Sequence, residues 1–361
     1  MSALLIACLI SGFQNCGDFS AIPRTVKFTD NASQASIKAE VDSVSHSRAE
    51  TMDIKGMEIV LGGLYNVYAP SMLGRKVWLG GWATRAETGP DRLYQAEISD
   101  SGKWVGLHPV KFQNVGYPAG VIPGFHVNDP SIIQHPTQPW LVMYYTMLAN
   151  ENATATQMTR RNWVGFATST DDGVSWTHHN VVIGQDNGSS NSEIRYAGAW
   201  APSAVPVSND EIRVYYHTGS SNCIDADCIA QGDLLAAQVL FTKFNSTCWQ
   251  KTDVVEAKLE SGAPLRAVNV DVALRGGKWW LVGNDLTVRN IVLYQSNDGV
   301  TWVPYNGTDG VLIRGGAAQL LTPHLNLEGT KNLRIAFAYG IDGQDEKSFH
   351  VWTFAESAET K

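Results

Sequence analysis

The chain has 361 residues, with 27 Lys and Arg against 35 Asp and Glu, for a formal net charge of −8. Hydrophobic residues make up 44% and charged ones 17%, enough apolar material for a sizeable core, which argues against a disordered chain. The acidic balance argues against nucleic acid or an anionic membrane as a partner, since both need a positive field. Beyond the first residues, no apolar run reaches the roughly 20 residues that span a bilayer.

Residues 3–12, from Ala3 to Gly12, form a short apolar run of the length of a signal h-region, and Leu5-Ile6-Ala7-Cys8 has the look of a lipobox. No charged residue precedes it, and an ordinary buried strand is the competing reading. A leader over residues 1–16 implies a secreted or periplasmic protein, lipid-anchored if Cys8 is acylated. Residues 17–55 mix Ser, Ala, Asp and Lys without a sustained period and read as a polar linker. Residues 56–361 carry the folded domain. Within it Cys223 and Cys228 could close a small disulfide loop, with Cys248 as a third thiol. Metal binding by these three is disfavoured, because no Cys-x-x-Cys pair and no nearby His accompany them.

Five segments then repeat one pattern: a small or polar residue, often followed by Pro, a short alternating apolar run, a turn, and an aromatic-rich strand. The first runs from Ala69 to Trp82. The second opens at Asp129-Pro130-Ser131 and resumes at Trp140; the third opens at Ala201-Pro202-Ser203 and resumes at Ile212. The fourth pairs Asn269–Leu274 with Lys278–Val282, and the fifth pairs Thr322–Leu327 with Leu333–Tyr339. The starts at 69, 129, 201, 269 and 322 leave units of 53 to 72 residues. Each is long enough for a four-stranded sheet, and such sheets bury both faces only by stacking radially. The fold expected is all-β, a five-bladed β-propeller. Either Met57–Leu61 or Phe349–Phe354 could supply the strand that closes the ring.

A second element recurs late in the units. Thr170-Asp171-Asp172-Gly173-Val174-Ser175-Trp176 and Ser296-Asn297-Asp298-Gly299-Val300-Thr301-Trp302 share one pattern, and Ser99–Trp104 is a degenerate copy. Asp-Gly supplies a hairpin turn with positive φ, and the Trp packs between sheets. These segments resemble the Asp-box turns of sialidases and related propellers, and they point to architecture rather than chemistry.

Equivalent positions on inner strands converge on a central channel. The mouth ring is expected to be Ala69, Asp129, Ala201, Asn269 and Thr322. Side chains two residues on share a strand face, so the next ring is Ser71, Ser131, Ser203, Asp271 and His324. Polar residues recurring inside apolar strands suit a wet central site, because a sealed core would hold them at a desolvation cost.

Asn128-Asp129-Pro130-Ser131 and Trp200-Ala201-Pro202-Ser203 resemble inner-strand motifs of the five-bladed clan that includes family 43 arabinanases and xylosidases and family 32 invertases. The resemblance in blade pattern covers nearly all of residues 57–354. It implies a glycoside hydrolase-like, carbohydrate-active protein that needs no organic cofactor, acting on an extracellular poly- or oligosaccharide. Those enzymes use three acids, one from each of the first three blades. Asp129 matches the second-blade Asp, whose family role is to tune and orient the acid. Ala69 stands where the family has its base.

Hydrolysis needs two carboxylates in different protonation states. Glu193, just ahead of the third inner strand, is the candidate acid. Glu87 or Asp91, in the first-blade loop, is the candidate base. His324 matches a fifth-blade His found beside a channel ion, commonly calcium, and Asp271 is the nearest oxygen ligand for such an ion. Trp82, Trp200 and Tyr196 could stack on sugar faces, Asn269 could bind a hydroxyl, and Arg85, Arg195 and Arg266 could bind acidic groups on the glycan. A phosphate-binding Gly-rich loop, a His-Glu-x-x-His pair and a Gly-x-Ser-x-Gly elbow are all absent from the sequence. Two other readings compete with hydrolysis: a glycan-binding propeller that has lost its acids, and a sialidase-type exo-hydrolase.

Overall fold

A computed structural model of the protein describes residues 56–59, 61, 64–82, 92–113, 127–150, 160–183, 199–218, 237–247, 249–252, 254–316, 318–326, 332–341 and 348–355. The leader and linker expected over residues 1–55 lie outside the described residues, as do Cys223, Cys228 and Cys248. Among the described residues every regular element is a strand, and no helix is long and apolar enough to cross a membrane.

The strands form five sheets. A short strand, β1 (Gly56–Ile59), precedes the first sheet, which runs outward through β2 (Tyr65–Leu73), β3 (Lys76–Trp82), β4 (Arg92–Ile98) and β5 (Trp104–Pro109). The chain then lays β6 (Lys111–Gln113) parallel to the outer edge of the second sheet, made of β7 (Val127–Gln134), β8 (Leu141–Asn150), β9 (Arg160–Ser169) and β10 (Ser175–Ile183). The third sheet is β11 (Trp200–Pro206), β12 (Glu211–Thr218), β13 (Gln238–Asn245) and β14 (Val255–Glu256). Next, β15 (Lys258–Leu259) repeats the parallel edge contact, now on the fourth sheet of β16 (Val268–Arg275), β17 (Lys278–Asn284), β18 (Asn290–Ser296) and β19 (Thr301–Pro304), with β20 (Val311–Arg314) also on β18. The fifth sheet is β21 (Ala318–Asn326), β22 (Asn332–Ile341) and β23 (Ser348–Ala355), and its outer strand is β1, which pairs antiparallel with β23. Both candidate closing segments are therefore used, against each other.

The inner strands β2, β7, β11, β16 and β21 touch in that order, and β21 touches β2, so the sheets are blades of a closed ring. Period-two alternation explains why central strands read as continuous apolar runs. Met143 and Tyr145 enter the core shared with the first blade, whereas Val142 and Tyr144 enter the core shared with the third. Each of the five cores draws on two neighbouring blades, so no blade buries its faces alone.

The two Asp-Gly hairpins clamp neighbouring blades. Trp176 and Trp302 are fully buried. In the fourth blade Asp298 accepts the N–H groups of Val300 and Thr301 at 2.7 and 2.8 Å, and the Gly299 carbonyl accepts the Tyr215 hydroxyl of the third blade at 2.8 Å. The second-blade copy differs from the aligned sequence. There Asp171, one residue earlier than the alignment places it, takes the Ser175 N–H at 2.9 Å and the Ser175 and Ser169 hydroxyls. Asp172, with φ +60°, turns out to Lys76 of the first blade. One more residue separates the serine from the glycine in this copy, which shifts the organising carboxylate back by one.

Candidate active site

Each inner strand passes through one residue of left-handed backbone at the same place: Ala69 (φ 50°), Asp129 (47°), Ala201 (46°), Asn269 (50°) and Thr322 (48°). These are the five mouth positions expected from the repeat. Non-glycine residues held there cost on the order of 1–3 kcal/mol each and persist where surrounding structure enforces them. The ladder register shifts across each one, as between Asn128 and Ser131 or between Val268 and Asp271. Proline follows at 70, 130, 202 and 323, and a residue without an N–H suits a strand whose pairing is already broken. These residues line one depression on the axis, with Asp271 and His324 further along the channel.

Side chains of the second strands brace the strained backbone. The Thr146 hydroxyl accepts the Ala201 N–H at 2.9 Å, His217 Nδ1 accepts that of Asn269 at 3.1 Å, and Asn284 Oδ1 accepts that of Thr322 at 3.1 Å. The Thr322 hydroxyl accepts the Ala69 N–H at 2.6 Å. Sequence reasoning missed Thr146, His217 and Asn284. The available signal was a polar residue late in the second strand of the second, third and fourth repeats, at nearly the same offset from the repeat start.

The second ring forms a belt. The Ser71 hydroxyl accepts the Ile132 N–H (3.0 Å), Ser131 that of Ala204 (2.9 Å), and Ser203 that of Val272 (2.8 Å). Asp271 Oδ2 accepts the Leu325 N–H (2.7 Å), and His324 Nε2 accepts that of Met72 (3.0 Å), returning to the first blade. Asp271 also takes the Ser203 hydroxyl at 2.7 Å and lies 2.9 Å from His324 Nδ1. Because Nε2 accepts, the imidazole carries its proton on Nδ1 and donates it to Asp271. Both nitrogens of His324 and both oxygens of Asp271 therefore hold hydrogen bonds within the belt. Calcium takes six to eight oxygen ligands. Among the described residues no group of three or more His, Cys, Asp or Glu is placed to hold a metal.

The remaining expected residues divide sharply. Asp129 sits at the mouth, 9% exposed. Asn269 lines the same depression, its amide donating to Asn284 at 3.2 Å. Trp82 is half-buried at the end of β3. Trp200 is buried with its ring stacked on His217, 5.7 Å between centroids and 13° between planes. Burial pushes His217 down to about 3, so it stays neutral beside the mouth at ordinary pH. Arg266 is exposed just ahead of β16. Arg85, Glu87, Asp91, Glu193, Arg195 and Tyr196 lie outside the described residues.

No protein-family profile matches the sequence, and no curated protein matches it. Solved structures do match in fold. A family-43 glycoside hydrolase from Xanthomonas citri complexed with xylose aligns with a TM-score of 0.55 at 10% identity, over 84% of this chain and 91% of that one. A family-43 endo-arabinanase from Bacillus licheniformis gives a TM-score of 0.53 at 12% identity, over 82% and 96%. A thermostable family-43 glycoside hydrolase gives 0.54 at 12% identity, over 82% and 91%. The chain has the propeller fold of these glycoside hydrolases.

Proposed function

We propose that the protein is a carbohydrate-active propeller that hydrolyses a glycosidic bond in an extracellular poly- or oligosaccharide bound at the mouth. The observation that carries the proposal is Asp129. Of five positions with the same strained backbone around one axial depression, it alone is a carboxylate. The fold it shares with xylose-binding and arabinan-cleaving enzymes supports the same reading.

Hydrolysis requires a carboxylic acid to protonate the leaving oxygen and a carboxylate to activate water or attack the sugar, roughly 5–10 Å apart. Asp129 supplies fixed negative charge beside the acid, which keeps that acid's proton on until transfer and orients its carboxyl group. Glu193 is the proposed acid and Glu87 the proposed base. Asn269 and Thr322 lie across the axis from Asp129 and would hold sugar hydroxyls. Export through the leader would place the protein with its substrate.

Asparagine tolerates positive φ as well as aspartate does, so Asp129→Asn removes charge without disturbing the bulge. Sugar release from a panel of arabinosides, xylosides and fructosides should fall 10²- to 10⁴-fold, the range of general acid–base catalysis, with an unchanged melting temperature. Undiminished release would remove Asp129 from the chemistry.

Ala69 favours a second reading, glycan binding without turnover, because the first blade offers a methyl group where the resembled enzymes carry a base. Retention on a glycan column with no sugar released by the native protein would select it.

A further inference from the structure

The first and fifth blades depart from the pattern by which the other three hold the mouth. Residues paired across the ladder just ahead of the bulge are Tyr68 with Gly80, Asn128 with Thr146, Trp200 with His217, Val268 with Asn284, and Leu321 with Ala338. In the second, third and fourth blades the second-strand partner is polar and braces the next blade's mouth residue. In the fifth blade that partner is Ala338, and in the first blade, the one that faces Asp129, it is Gly80.

The space is taken by Tyr68. A Cβ added at Gly80 would meet the Tyr68 ring, with Cζ 3.3 Å away and Cε2 at 3.4 Å. The glycine thus lets the ring lie against the second strand, and the tyrosine hydroxyl accepts the Asn128 side-chain N–H at 2.8 Å. Asn128 immediately precedes Asp129. On the other side of Asp129, the Ile132 N–H is held by Ser71 at 3.0 Å. The strained turn that carries the carboxylate is therefore pinned to the first blade at both ends.

We propose that Tyr68 is a positioning residue for Asp129: through Asn128 it fixes where the mouth carboxylate stands relative to the first blade and to the substrate held between them. Gly80 is part of the same device, because a Cβ there would press the ring by a few tenths of an ångström. The proposal rests on Asp129 taking part in turnover.

The test compares native protein, Asp129→Asn, Tyr68→Phe and Gly80→Ala on the best substrate of the panel, with kcat and KM measured separately and each melting temperature recorded. Tyr68→Phe keeps the ring and removes only the hydroxyl. It should lower kcat five- to tenfold while KM stays within twofold and melting moves by no more than a few degrees. Gly80→Ala should reproduce the kcat loss by moving the ring. If Asp129→Asn abolishes turnover but Tyr68→Phe and Gly80→Ala retain native kcat, or raise KM alone, the positioning role is wrong and the functional reading stands. If Asp129→Asn turns over normally, or the native protein releases no sugar, the functional reading falls and this role falls with it.

Discussion

His217 shows how a single side chain joins the fold to the mouth. It is buried, it stacks on Trp200, and its Nδ1 holds the Asn269 backbone. Burial also lowers His178, to about 4, with His179 beside it adding to the effect. An unfolded histidine takes up a proton near pH 6.5, whereas these two in the folded protein resist it until about 4 and about 3. The unfolded chain therefore binds more protons over that window. Their contribution to stability is whole above pH 6.5 and declines as pH falls, by up to about 1.4 kcal/mol per pH unit for each histidine. The expected result is a melting temperature that drops between pH 7 and pH 5. In His217→Asn, where the amide oxygen can replace Nδ1 as acceptor, the protein should be less stable at pH 7 and show a shallower drop. An unchanged slope in the variant would mean that His217 is not held neutral by burial. Sequence alone placed Asp129, Asn269 and Thr322 at the mouth, because the repeat marks equivalent positions. It did not place His217, because its Tyr-Tyr-His setting reads as an ordinary strand end until the neighbouring blade is in view.

The Asp-Gly hairpins were legible as turns, and their tryptophans as buried, because both properties are local. Which carboxylate organises each turn was not legible. Burial, the largest influence, pushes Asp171 up, but the hydrogen bonds it accepts from Ser175 and Ser169 together hold it below the usual carboxylate range. Asp172 makes an exposed ion pair with Lys76, a kind that contributes about 0–1 kcal/mol. Asp171→Ala should therefore destabilise the protein by roughly 1.5–3 kcal/mol, the range for hydrogen bonds to a charged acceptor, and Asp172→Ala by less than about 1 kcal/mol. Urea unfolding of the two variants decides the matter. The opposite order would show that the aligned residue, not the one before it, carries the turn. The second ring teaches the same lesson. Spacing assigned Ser71, Ser131, Ser203, Asp271 and His324 to one strand face, but whether such side chains serve a ligand or the next blade depends on contacts 60 to 70 residues away in sequence, as between Ser71 and Ile132 or Ser203 and Val272.

Across the whole molecule, five wedge-shaped cores, a closed belt of side chain-to-backbone hydrogen bonds and the pairing of β1 with β23 make a rigid ring. That rigidity allows five strained residues to persist at one end. Four of them are uncharged, and Asp129 stands between two alanines, facing Asn269 and Thr322 across the axis. The architecture was readable in the sequence because blades repeat, and a repeat shows itself against its own copies. The stretches bearing Glu87 and Glu193 follow no repeat, so their residues could be named without being placed. The most direct measurement is a crystal structure of Asp129→Asn soaked with oligosaccharides of the arabinose, xylose and fructose series. The sugar should lie on the axis, within hydrogen-bond distance of residue 129 and of Asn269 or Thr322. A sugar seated instead on the outer edge of a blade, or at the Asp-Gly hairpin end of the ring, would contradict the assignment of the mouth as the site of action.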